Sequence, residues 1–354
     1  MNKRMEEKDR LQQITKPLIK WYQKEGRILP WRKGKNPYRI WISEIMLQQT
    51  RIEAVKEYYK RFIQELPTVH DLANVEEQKL LKLWEGLGYY NRARNLKKAA
   101  QMIEQKQQGK MPKTAKELLD LPGIGEYTAG AISSIAYDEP VPAVDGNVLR
   151  VINRILASKK DVLEAETKKE ITQKLTEIMP KEAGDFNEGL MELGELICLP
   201  KGNPLCEICA IQEYCLAKEK GLTDEIPVRI QKTKRKQEEK TIFVLIYQGK
   251  IAIQKRAETG LLAGMYEFPT IEKKLNEKQV KEQLMDWKVE GKSITKIGSH
   301  HHIFSHREWD MVGYQIECEE VNESSWIWAR QEELEKVYPI PGPYTPFMKR
   351  IKLT

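Results

Sequence analysis

The stretch Leu121–Asn147 constrains this chain more than any other. A Pro-Gly-x-Gly turn opens a helix of small residues, and Asp145 follows twenty residues after Gly125. Gly123 and Gly125 permit backbone conformations and close approaches that a side chain would block. The N–H groups that open the next helix can then point at a phosphate oxygen, aided by the helix dipole. The turn alone is equally typical of an ordinary connection between helices, but with Asp145 at this distance it predicts a nucleic-acid site beside a positioned carboxylate.

The size and composition indicate more than one domain. The chain has 354 residues, more than one compact core usually holds, and a formal net charge of +7, which is compatible with nucleic-acid binding. No apolar run approaches the length of a membrane span, and the opening sequence MNKRMEEKDR lacks the apolar core of a signal peptide. We therefore expect a cytoplasmic protein, nucleoid-associated if bacterial, that does not bind a membrane. Structural disulfides are rare in that compartment, so the five cysteines need another explanation.

The pattern of apolar residues divides the chain. Residues 1–221 are predicted to be helical because apolar residues recur at steps of three and four, as in Leu11, Ile14 and Leu18. Residues 222–240 are polar and charged and contain a proline, which predicts an interdomain linker.

From residue 241 the pattern changes to that of strands. The segments TIFVLIY and KIAIQKR flank a short turn and predict a β-hairpin. Further strands are expected at Ser293–Ile303, Met311–Cys318 and Trp326–Ala329, and a helix at Asn276–Trp287. Residues 241–354 are therefore predicted to form a separate α+β domain.

Asp145 is the first candidate for chemistry. A lone aspartate before an apolar-periodic helix would by default be a helix N-cap. The flanking residues favour more than that. Gly146 leaves space beside the carboxylate, and Asn147 can donate hydrogen bonds that hold it ionised and oriented.

Glu44 is the second candidate. It lies in the apolar segment WISEIMLQQT, and on a helix it would share a face with Leu47, Gln48 and Arg51. Apolar surroundings can raise the pKa of its carboxyl until it remains protonated and acts as an acid. The alternative is a surface glutamate paired with Arg39 or Arg51.

Several long motifs, in order, resemble the helix-hairpin-helix DNA glycosylases and within them the MutY family of adenine DNA glycosylases. They are LPWR (29–32), WISEIMLQQT (41–50), WEGLGYYNRARNL (84–96), the turn at 121–130, VDGNVLR (144–150), FNEGLMELGELIC (186–198) and the cysteines that follow. The resemblance covers nearly the whole chain. It implies that Glu44 protonates the adenine ring. Asp145 would stabilise the positive charge on the deoxyribose, electrostatically or through a transient covalent bond, as the paired carboxylates of sugar hydrolases do.

The resemblance also assigns residues around the base. Gln48, Gln49 and Thr50 would lie at the DNA, with the glutamines filling the space left by the extruded base. Glu188 would lie near the adenine and Glu44, unless it is a solvent-exposed helix residue. Further residues match family positions near the base pocket or the opposite base, although a buried tryptophan or leucine is more often core: Trp31, Arg32, Leu87 and Tyr89.

Tyr127 separates two subclasses of the family. In the related endonuclease III enzymes the corresponding position carries a lysine, whose amine attacks the sugar and leads to strand cleavage. A tyrosine cannot form that imine, so the sequence predicts hydrolysis without strong lyase activity. Tyr127 is expected to contact Asp145 or the sugar, or simply to pack as an aromatic residue.

Four cysteines follow the pattern C-x7-C-x2-C-x5-C: Cys198, Cys206, Cys209 and Cys215. This spacing permits a [4Fe–4S] cluster or tetrahedral zinc. The family resemblance implies the [4Fe–4S] cluster, in a structural role, although the first gap is one residue longer than is usual in the family. Lys201, in that gap, is a candidate phosphate contact.

The C-terminal domain carries the run SHHHIFSH. Consecutive histidines in a strand point to alternating faces, which disfavours a metal site at His300, His301 and His302. The resemblance implies instead that Phe304, Ser305 and His306 recognise 8-oxoguanine opposite the target adenine. It also implies a Nudix-like fold, and the catalytic acidic run REx2EE is missing, so nucleotide hydrolysis is not expected.

Together these observations predict a multidomain protein. An all-α helix-hairpin-helix glycosylase fold with an iron–sulfur cluster loop would occupy residues 1–221, its six-helix barrel part at about 30–136 and its cluster part at about 1–29 and 137–221. A linker (222–240) and a Nudix-like 8-oxoguanine recognition domain (241–354) would follow.

The predicted function is that of a monofunctional adenine DNA glycosylase of base excision repair. It would act as a monomer on double-stranded DNA that carries adenine opposite 8-oxoguanine or guanine. The alternatives are a bifunctional glycosylase/lyase with another substrate, a non-catalytic iron–sulfur protein that binds lesions, and a nucleotide pyrophosphohydrolase.

Overall fold

The computed structural model describes residues 6–200, 202–230, 235–321 and 326–352. The backbone packs into two compact units, Met1–Asn74 with Asn95–Gln231, and Val75–Arg94 with Lys232–Thr354. Lys201, the candidate phosphate contact, and residues 231–234 of the predicted linker lie outside the described residues. Across the described ranges, no helix combines the length and the apolar character that a bilayer crossing requires.

The chain up to residue 230 is helical, as the spacing of its apolar residues predicts. In chain order the helices are α1 (Glu7–Glu25), α2 (Pro37–Leu47), α3 (Ile52–Glu65), α4 (Val69–Asn74), α5 (Glu77–Trp84), α6 (Asn91–Gln107), α7 (Ala115–Leu118), α8 (Glu126–Tyr137), α9 (Gly146–Leu156), α10 (Ala165–Thr176), α11 (Ala183–Leu196) and α12 (Leu216–Glu219). Short 3-10 helices lie at Pro30–Arg32, Cys206–Ile208 and Gln212–Tyr214.

Helix α2 is a buried helix. It begins where the Asn36 side chain accepts a hydrogen bond from the Arg39 N–H and Pro37 occupies the first turn, where an N–H is not needed. From residue 40 to residue 46 every side chain is buried, so the one carboxyl in this run, that of Glu44, lies in the core. A helix that is apolar nearly all round is expected to be covered on all sides.

The end of α2 corrects one prediction. The helix ends at Leu47, and Gln49 takes a left-handed conformation with φ 59°. Arg51 therefore precedes the first residue of α3 as its N-cap and does not continue the face that carries Glu44. The prediction failed because the apolar spacing of residues 41–50 suggests one continuous helix, whereas the polar Gln-Gln-Thr residues form a turn.

Helix α11 packs against both α1 and α9. Apolar side chains from the three helices form one core cluster: Leu11, Ile14 and Leu18 from α1, Val148, Val151, Ile152 and Ile155 from α9, and Phe186, Leu190 and Leu193 from α11. Fully burying each such side chain stabilises the fold by about 1.5–3 kcal/mol. The start of α9, where Asp145 lies, is thereby fixed against α11.

The second unit contains a mixed β-sheet. Its strands are β1 (Lys236–Tyr247), β2 (Lys250–Lys255), β3 (Tyr266–Glu267), β4 (Thr270–Ile271), β5 (Val289–Ile303), β6 (Arg307–Val321) and β7 (Ile327–Ala329), with helices α13 (Glu277–Asp286), α14 (Gln331–Lys336) and α15 (Thr345–Met348). The sheet order is β3-β2-β1-β6-β5, with β1 and β6 parallel and β1 and β2 joined as the predicted hairpin. The predicted helix at 276–287 is α13, whose N-cap is Asn276.

Both faces of this sheet are covered. Alternate residues of β1 belong to different cores: Ile242 and Val244 pack with residues of α14 and α15, and Phe243 and Leu245 pack with residues of α13. Successive side chains of a strand point to opposite faces, so one strand serves both cores. The result is the α+β unit that the sequence predicts.

The structure differs from the predicted domain bounds in two places. β1 begins at Lys236, inside the predicted linker, because residues 236–240 pair with β6 and Glu238 accepts hydrogen bonds from Arg307 (2.7 Å) and Trp309 (3.0 Å). From their charge alone, residues 236–240 are predicted to belong to a solvated linker. The second difference is the segment 75–94, which groups with the second unit; there the Lys82 ammonium donates to the Leu334 carbonyl at 3.0 Å.

Candidate active site

A single pocket in the first unit contains the two candidate carboxylates. Its volume is about 810 Å³, and it is lined by residues of the 3-10 helix Pro30–Arg32, of α2, of the turn before α8, of the start of α9 and of α11. Predicted site residues that line it are Arg32, Glu44, Gln48, Gln49, Thr50, Gly125, Tyr127, Asp145, Asn147 and Glu188. Motifs spread over about 160 residues of sequence therefore meet around one space.

Glu44 is buried in the wall of this pocket, with 6 % of its surface exposed. Burial raises the pKa of its carboxyl to about 7, with smaller contributions from the negative charges of Glu188 and Asp145. A hydrogen bond from Tyr127 and the charge of Arg32 oppose the rise. Glu44 can thus carry a proton near neutral pH, as expected of an acid and unlike a surface glutamate paired with an arginine.

Tyr127 contacts a different carboxyl from the one expected. Its hydroxyl donates a hydrogen bond to Glu44 Oε2 at 2.7 Å and lies 3.2 Å from Met191 Sδ. The charge of Asp145 also acts on the phenol, so the predicted contact with Asp145 or the sugar stays a prediction. Burial and the nearby carboxylates raise the pKa of Tyr127, so the phenol keeps its proton.

Asp145 is a helix N-cap and also a member of the pocket. It accepts a hydrogen bond from the Val148 N–H at 2.8 Å and another from Asn147 Nδ2 at 2.9 Å. Burial raises the pKa of its carboxyl, whereas these hydrogen bonds and the charge of Arg150 lower it. The contact from Asn147 is the one that the sequence predicts. Asp145 is therefore the N-cap that its position predicts, and the cap fixes the direction of its carboxylate.

Asn147 is itself held by α11. Arg150 donates to Asn147 Oδ1 at 2.9 Å and to the Gly194 carbonyl at 2.8 Å. A Cβ atom on Gly194 would lie 2.7 Å from Asn147 Cβ, closer than real Cβ atoms approach. The amide that donates to Asp145 therefore depends on the small size of residue 194.

The pocket also contains a cluster of charged residues that the sequence analysis had only partly identified. Arg32 donates to Glu188 Oε1 at 2.8 Å and to Glu192 Oε2 at 3.0 Å, and Arg27 donates to Glu192 Oε1 at 2.7 Å. Glu188 is half-buried in this cluster, not solvent-exposed. Glu192 and Arg27 were missed. A signal existed, because Glu192 follows Glu188 by four residues and shares its helix face.

Of the two glycines in the predicted DNA-binding turn before α8, only Gly123 has a conformation that requires glycine. Gly125 has φ −100°, and a Cβ there would meet nothing within 4 Å. Gly123 has φ +80°, and a Cβ there would lie 2.7 Å from that of Asn95, so only glycine fits. Gly125 is the N-cap of α8. After α2, Gln48 Nε2 donates to the Thr128 hydroxyl at 3.2 Å, which ties the two turns together.

Two further residues with predicted roles belong to the second unit. Leu87 is buried and Tyr89 is half-exposed in the segment of the second unit that precedes α6. For Leu87 the structure favours core packing. Trp31 lines the pocket and also packs edge-on against Tyr59, with ring centroids 5.3 Å apart.

The turn between β5 and β6 presents the predicted opposite-base residues. The Phe304 N–H donates to the Arg307 carbonyl at 2.8 Å, which leaves Ser305 and His306 exposed at the tip. The Ser305 and Tyr89 hydroxyls share a hydrogen bond of 2.6 Å within the second unit. Two of the residues that the family resemblance singles out, far apart in sequence, therefore lie together.

The histidines before this turn alternate as a strand requires. The rings of His300 and His302 lie 6.0 Å apart, and the ring of His302 packs edge-on against Phe304 at 4.7 Å. His301 lies instead 3.7 Å from Glu308. Burial lowers the pKa of His300 and His302, which favours their neutral form.

The four cysteines of residues 198–215 line one small cavity of about 30 Å³ together with Arg154, which donates to Cys198 Sγ at 3.2 Å. Burial raises the pKa of the Cys206, Cys209 and Cys215 thiols, and the neighbouring sulfurs raise it further. Without a bound cation the thiols therefore keep their protons, whereas a bound cation would favour the thiolates. Within the described ranges, no group of three or more His, Cys, Asp or Glu residues is arranged to hold a metal ion. Four cysteines around one cavity are nevertheless the donor set that a [4Fe–4S] cluster or zinc takes.

Cys318, outside that group, is partly buried against the core between the sheet and α13. This is the packing role that its isolated position in a strand predicts.

Comparisons with known proteins agree with both units. The family described as HhH-GPD superfamily base excision DNA repair protein matches residues 42–181, and the NUDIX domain family matches residues 241–350. An adenine DNA glycosylase of Schizosaccharomyces pombe is 33 % identical and is matched over 92 % of this chain and 87 % of its own length. That of Homo sapiens is 30 % identical, over 89 % of this chain and 70 % of its own length. That of Arabidopsis thaliana is 38 % identical, over 73 % of this chain but 48 % of its own length.

Solved structures resemble the helical part. A thermostable thymine-DNA glycosylase superposes with a TM-score of 0.54 and 30 % identity, covering 60 % of this chain and 97 % of that one. Endonuclease III in a non-covalent complex with DNA superposes with a TM-score of 0.53 and 26 % identity, covering 62 % of this chain and 99 % of that one. The fold of the helical part is therefore that of the endonuclease III-like glycosylases.

Proposed function

The chain belongs to the adenine DNA glycosylase family, within the HhH-GPD superfamily of base excision DNA repair proteins, and on that premise we propose that it removes adenine paired with 8-oxoguanine, and with guanine, by hydrolysing the N-glycosidic bond. The observation that carries the proposal is the meeting of Glu44 and Asp145 in one pocket. Such a pair can protonate a leaving base and stabilise the cationic sugar that remains.

In the proposed reaction Glu44 is the acid. Its raised pKa lets it hold a proton at neutral pH, and the hydrogen bond from Tyr127 fixes its carboxyl. The target adenine has to leave the helix stack to reach this group, at a cost of a few kcal/mol. Proton transfer to the ring makes the base a better leaving group.

Asp145 is the proposed stabiliser of the sugar cation. The hydrogen bonds from Val148 and Asn147 favour its ionised form and orient it in the pocket. Its negative charge then lowers the energy of the positive charge that develops as the bond breaks. Water completes the hydrolysis.

The proposal excludes strong lyase activity. Tyr127 occupies the position at which the family resemblance expects a lysine in strand-cutting enzymes, and its buried phenol cannot form an imine. The rival bifunctional mechanism would need another amine, and the one lysine among the residues that line the pocket, Lys168, stands 4.0 Å from Glu126 at the entrance to α8.

Recognition of the opposite base is assigned to the second unit. Ser305 and His306 are exposed at the β5–β6 turn, beside Tyr89, and both can donate hydrogen bonds to a base edge.

We also propose that Cys198, Cys206, Cys209 and Cys215 hold a [4Fe–4S] cluster. The cluster would contribute structure and electrostatics to the DNA-facing loop. Arg154 would support it through its contacts with Cys198 and with the carbonyls of Leu199 and Thr223.

A glycosylase assay tests this function. Single-turnover reactions with matched duplexes that carry A·8-oxoG, A·G and A·T should release adenine from the first two and not from the third. Borohydride added during the reaction should trap little protein on the DNA, with an endonuclease III enzyme on its own substrate as positive control. No adenine release from A·8-oxoG would refute the proposal. A strongly trapped protein–DNA adduct would instead support the alternative of a bifunctional glycosylase/lyase.

His306→Ala is expected to lower the ratio of A·8-oxoG to A·G excision by up to about tenfold, because one hydrogen bond contributes about 0.5–1.5 kcal/mol and about 1.4 kcal/mol is a factor of ten. The measurement is the single-turnover rate on both duplexes. His301→Ala is the matched control, since His301 pairs with Glu308 away from the tip of the turn. An unchanged ratio in His306→Ala would take this residue out of recognition.

A further inference from the structure

Glu192 is the most completely bonded carboxylate in the wall of the pocket. It is 1 % exposed and accepts hydrogen bonds from the Arg27 N–H (2.9 Å), Arg27 Nε (2.7 Å), Arg27 Nη2 (3.1 Å) and Arg32 Nη2 (3.0 Å). Burial raises the pKa of this carboxyl, but the two arginines outweigh it and lower the pKa to about 2. Glu192 is therefore ionised throughout the working pH range.

The two arginines bound by Glu192 form a cluster of balanced charge. Arg32 also donates to Glu188 at 2.8 Å and to the Arg27 carbonyl at 3.0 Å, and its guanidinium lies over the Tyr22 ring at 5.3 Å. Two guanidinium groups thus face two carboxylates. Removing one carboxylate from such a buried group leaves one positive charge without a match.

This balance bears on Glu44. The groups that act on Glu44 come from every side of it: Tyr127 on α8, Glu188 on α11, Asp145 before α9, and Arg32 on the 3-10 helix. Of these, Arg32 lowers the pKa of Glu44 through its positive charge. A group that holds Arg32 and offsets its charge therefore acts on the proton of Glu44 without touching it.

We propose that Glu192 is a positioning residue that holds Arg27 and Arg32 in the pocket wall and offsets their charge, so that Glu44 keeps its proton near neutral pH. This inference rests on the proposed function, in which Glu44 is the acid. Glu192 does not contact the reacting atoms in this scheme, and its effect reaches them through Arg32.

The test is the pH dependence of the single-turnover rate. With Glu44 as the acid, the rate falls as the pH rises through its pKa, which gives the profile an alkaline limb near pH 7. Glu192→Gln leaves an unmatched positive charge and should move the midpoint of this limb down by about one pH unit, the size expected of a unit charge about 12 Å away at an effective dielectric constant of about 20. The rate at pH 8 should fall about tenfold relative to wild type, with a much smaller loss at pH 6.

Two partner variants decide whether charge is the cause. Arg27→Gln leaves an unmatched carboxylate and should move the midpoint up. The double variant Arg27→Gln with Glu192→Gln restores the balance and should return the midpoint to within about 0.3 pH units of wild type. If Glu192→Gln does not fold, Arg27→Gln and the double variant still carry the test. Glu177→Gln, which removes an exposed carboxylate that pairs with Lys8 at 3.3 Å outside the pocket, is the matched control and should leave the profile unchanged.

The failures are distinguishable. A uniform loss of rate at all pH values, with no movement of the midpoint in any variant, would mean that Glu192 is merely structural and would overturn the inference. Wild-type protein that releases no adenine at any pH would instead remove the proposed function.

Discussion

Glu44→Gln is expected to reduce adenine release by about 10²–10⁴-fold, the usual contribution of a general acid. Glutamine has nearly the same shape, and its carbonyl oxygen can still accept the hydrogen bond from Tyr127 that Glu44 accepts at 2.7 Å. It has no proton to give to the adenine ring. The measurement is the single-turnover rate on an A·8-oxoG duplex at pH 6, where wild-type Glu44 is largely protonated.

Binding and folding should survive this substitution. The dissociation constant for an uncleavable duplex should change by less than about threefold, since the Glu44 side chain is neutral in its active form and its loss removes no phosphate contact. Glu53→Gln is the matched control, because Glu53 is an exposed glutamate paired with Lys56 at 2.7 Å. Excision that persists in Glu44→Gln while both variants fold would refute the role of Glu44 as the acid.

The same carboxyl makes stability depend on pH. Its pKa is about 7 in the folded chain against an ordinary 4.5, so the folded state binds the extra proton between these values. The associated stability is fully present below pH 4.5 and is lost as the pH rises through 7, by up to about 3 kcal/mol at about 1.4 kcal/mol per pKa unit. Wild type should therefore lose more stability than Glu44→Gln between pH 5 and pH 8 in denaturant titrations.

Asp145→Asn is the second substitution with a large expected effect, a loss of about 10²–10³-fold or more in the rate of base release. An asparagine amide cannot supply the negative charge that faces the sugar cation. It remains a good N-cap, so the hydrogen bond from the Val148 N–H and the start of α9 should be retained. The rate loss should therefore appear without a matching loss of stability.

Asp161→Asn provides the matched control for this substitution. Asp161 also accepts a hydrogen bond from a backbone N–H, that of Leu163 at 2.9 Å, but it lies outside the pocket. Its variant should keep wild-type rates. Thermal unfolding of both variants measures the role of the aspartate as a helix N-cap, and single-turnover kinetics measure its role in base release. Base release at a wild-type rate in Asp145→Asn would show that the cap is its sole role.

The residues that the sequence could identify are those whose chemistry is unusual for their surroundings. A carboxyl among isoleucines, as at Glu44, indicates a raised pKa from the sequence alone, and the structure gives that result. Asp145 next to a glycine and an amide likewise indicates an oriented carboxylate. Such features can be predicted from the sequence because they depend on residues that are neighbours in the chain.

What the sequence could not give depends on neighbours in space. The Tyr127 hydroxyl donates to Glu44, 83 residues away, and no local pattern indicates this partner. Glu192 has two arginines 160 or more residues away as its partners, and it looks like one charged residue among several on an amphipathic helix. The strand residues 236–240 are charged, and only their pairing with β6 distinguishes them from a linker.

Gly194 has a consequence for how sequence changes in such a chain are interpreted. It carries no reactive group, yet a methyl group on it would push against Asn147, and Asn147 holds Asp145 by a 2.9 Å hydrogen bond. A variant at this position would leave every chemical group of the active site intact in composition. It would nevertheless lose activity as variants of catalytic residues do, because the added group would displace the Asn147 amide that orients Asp145.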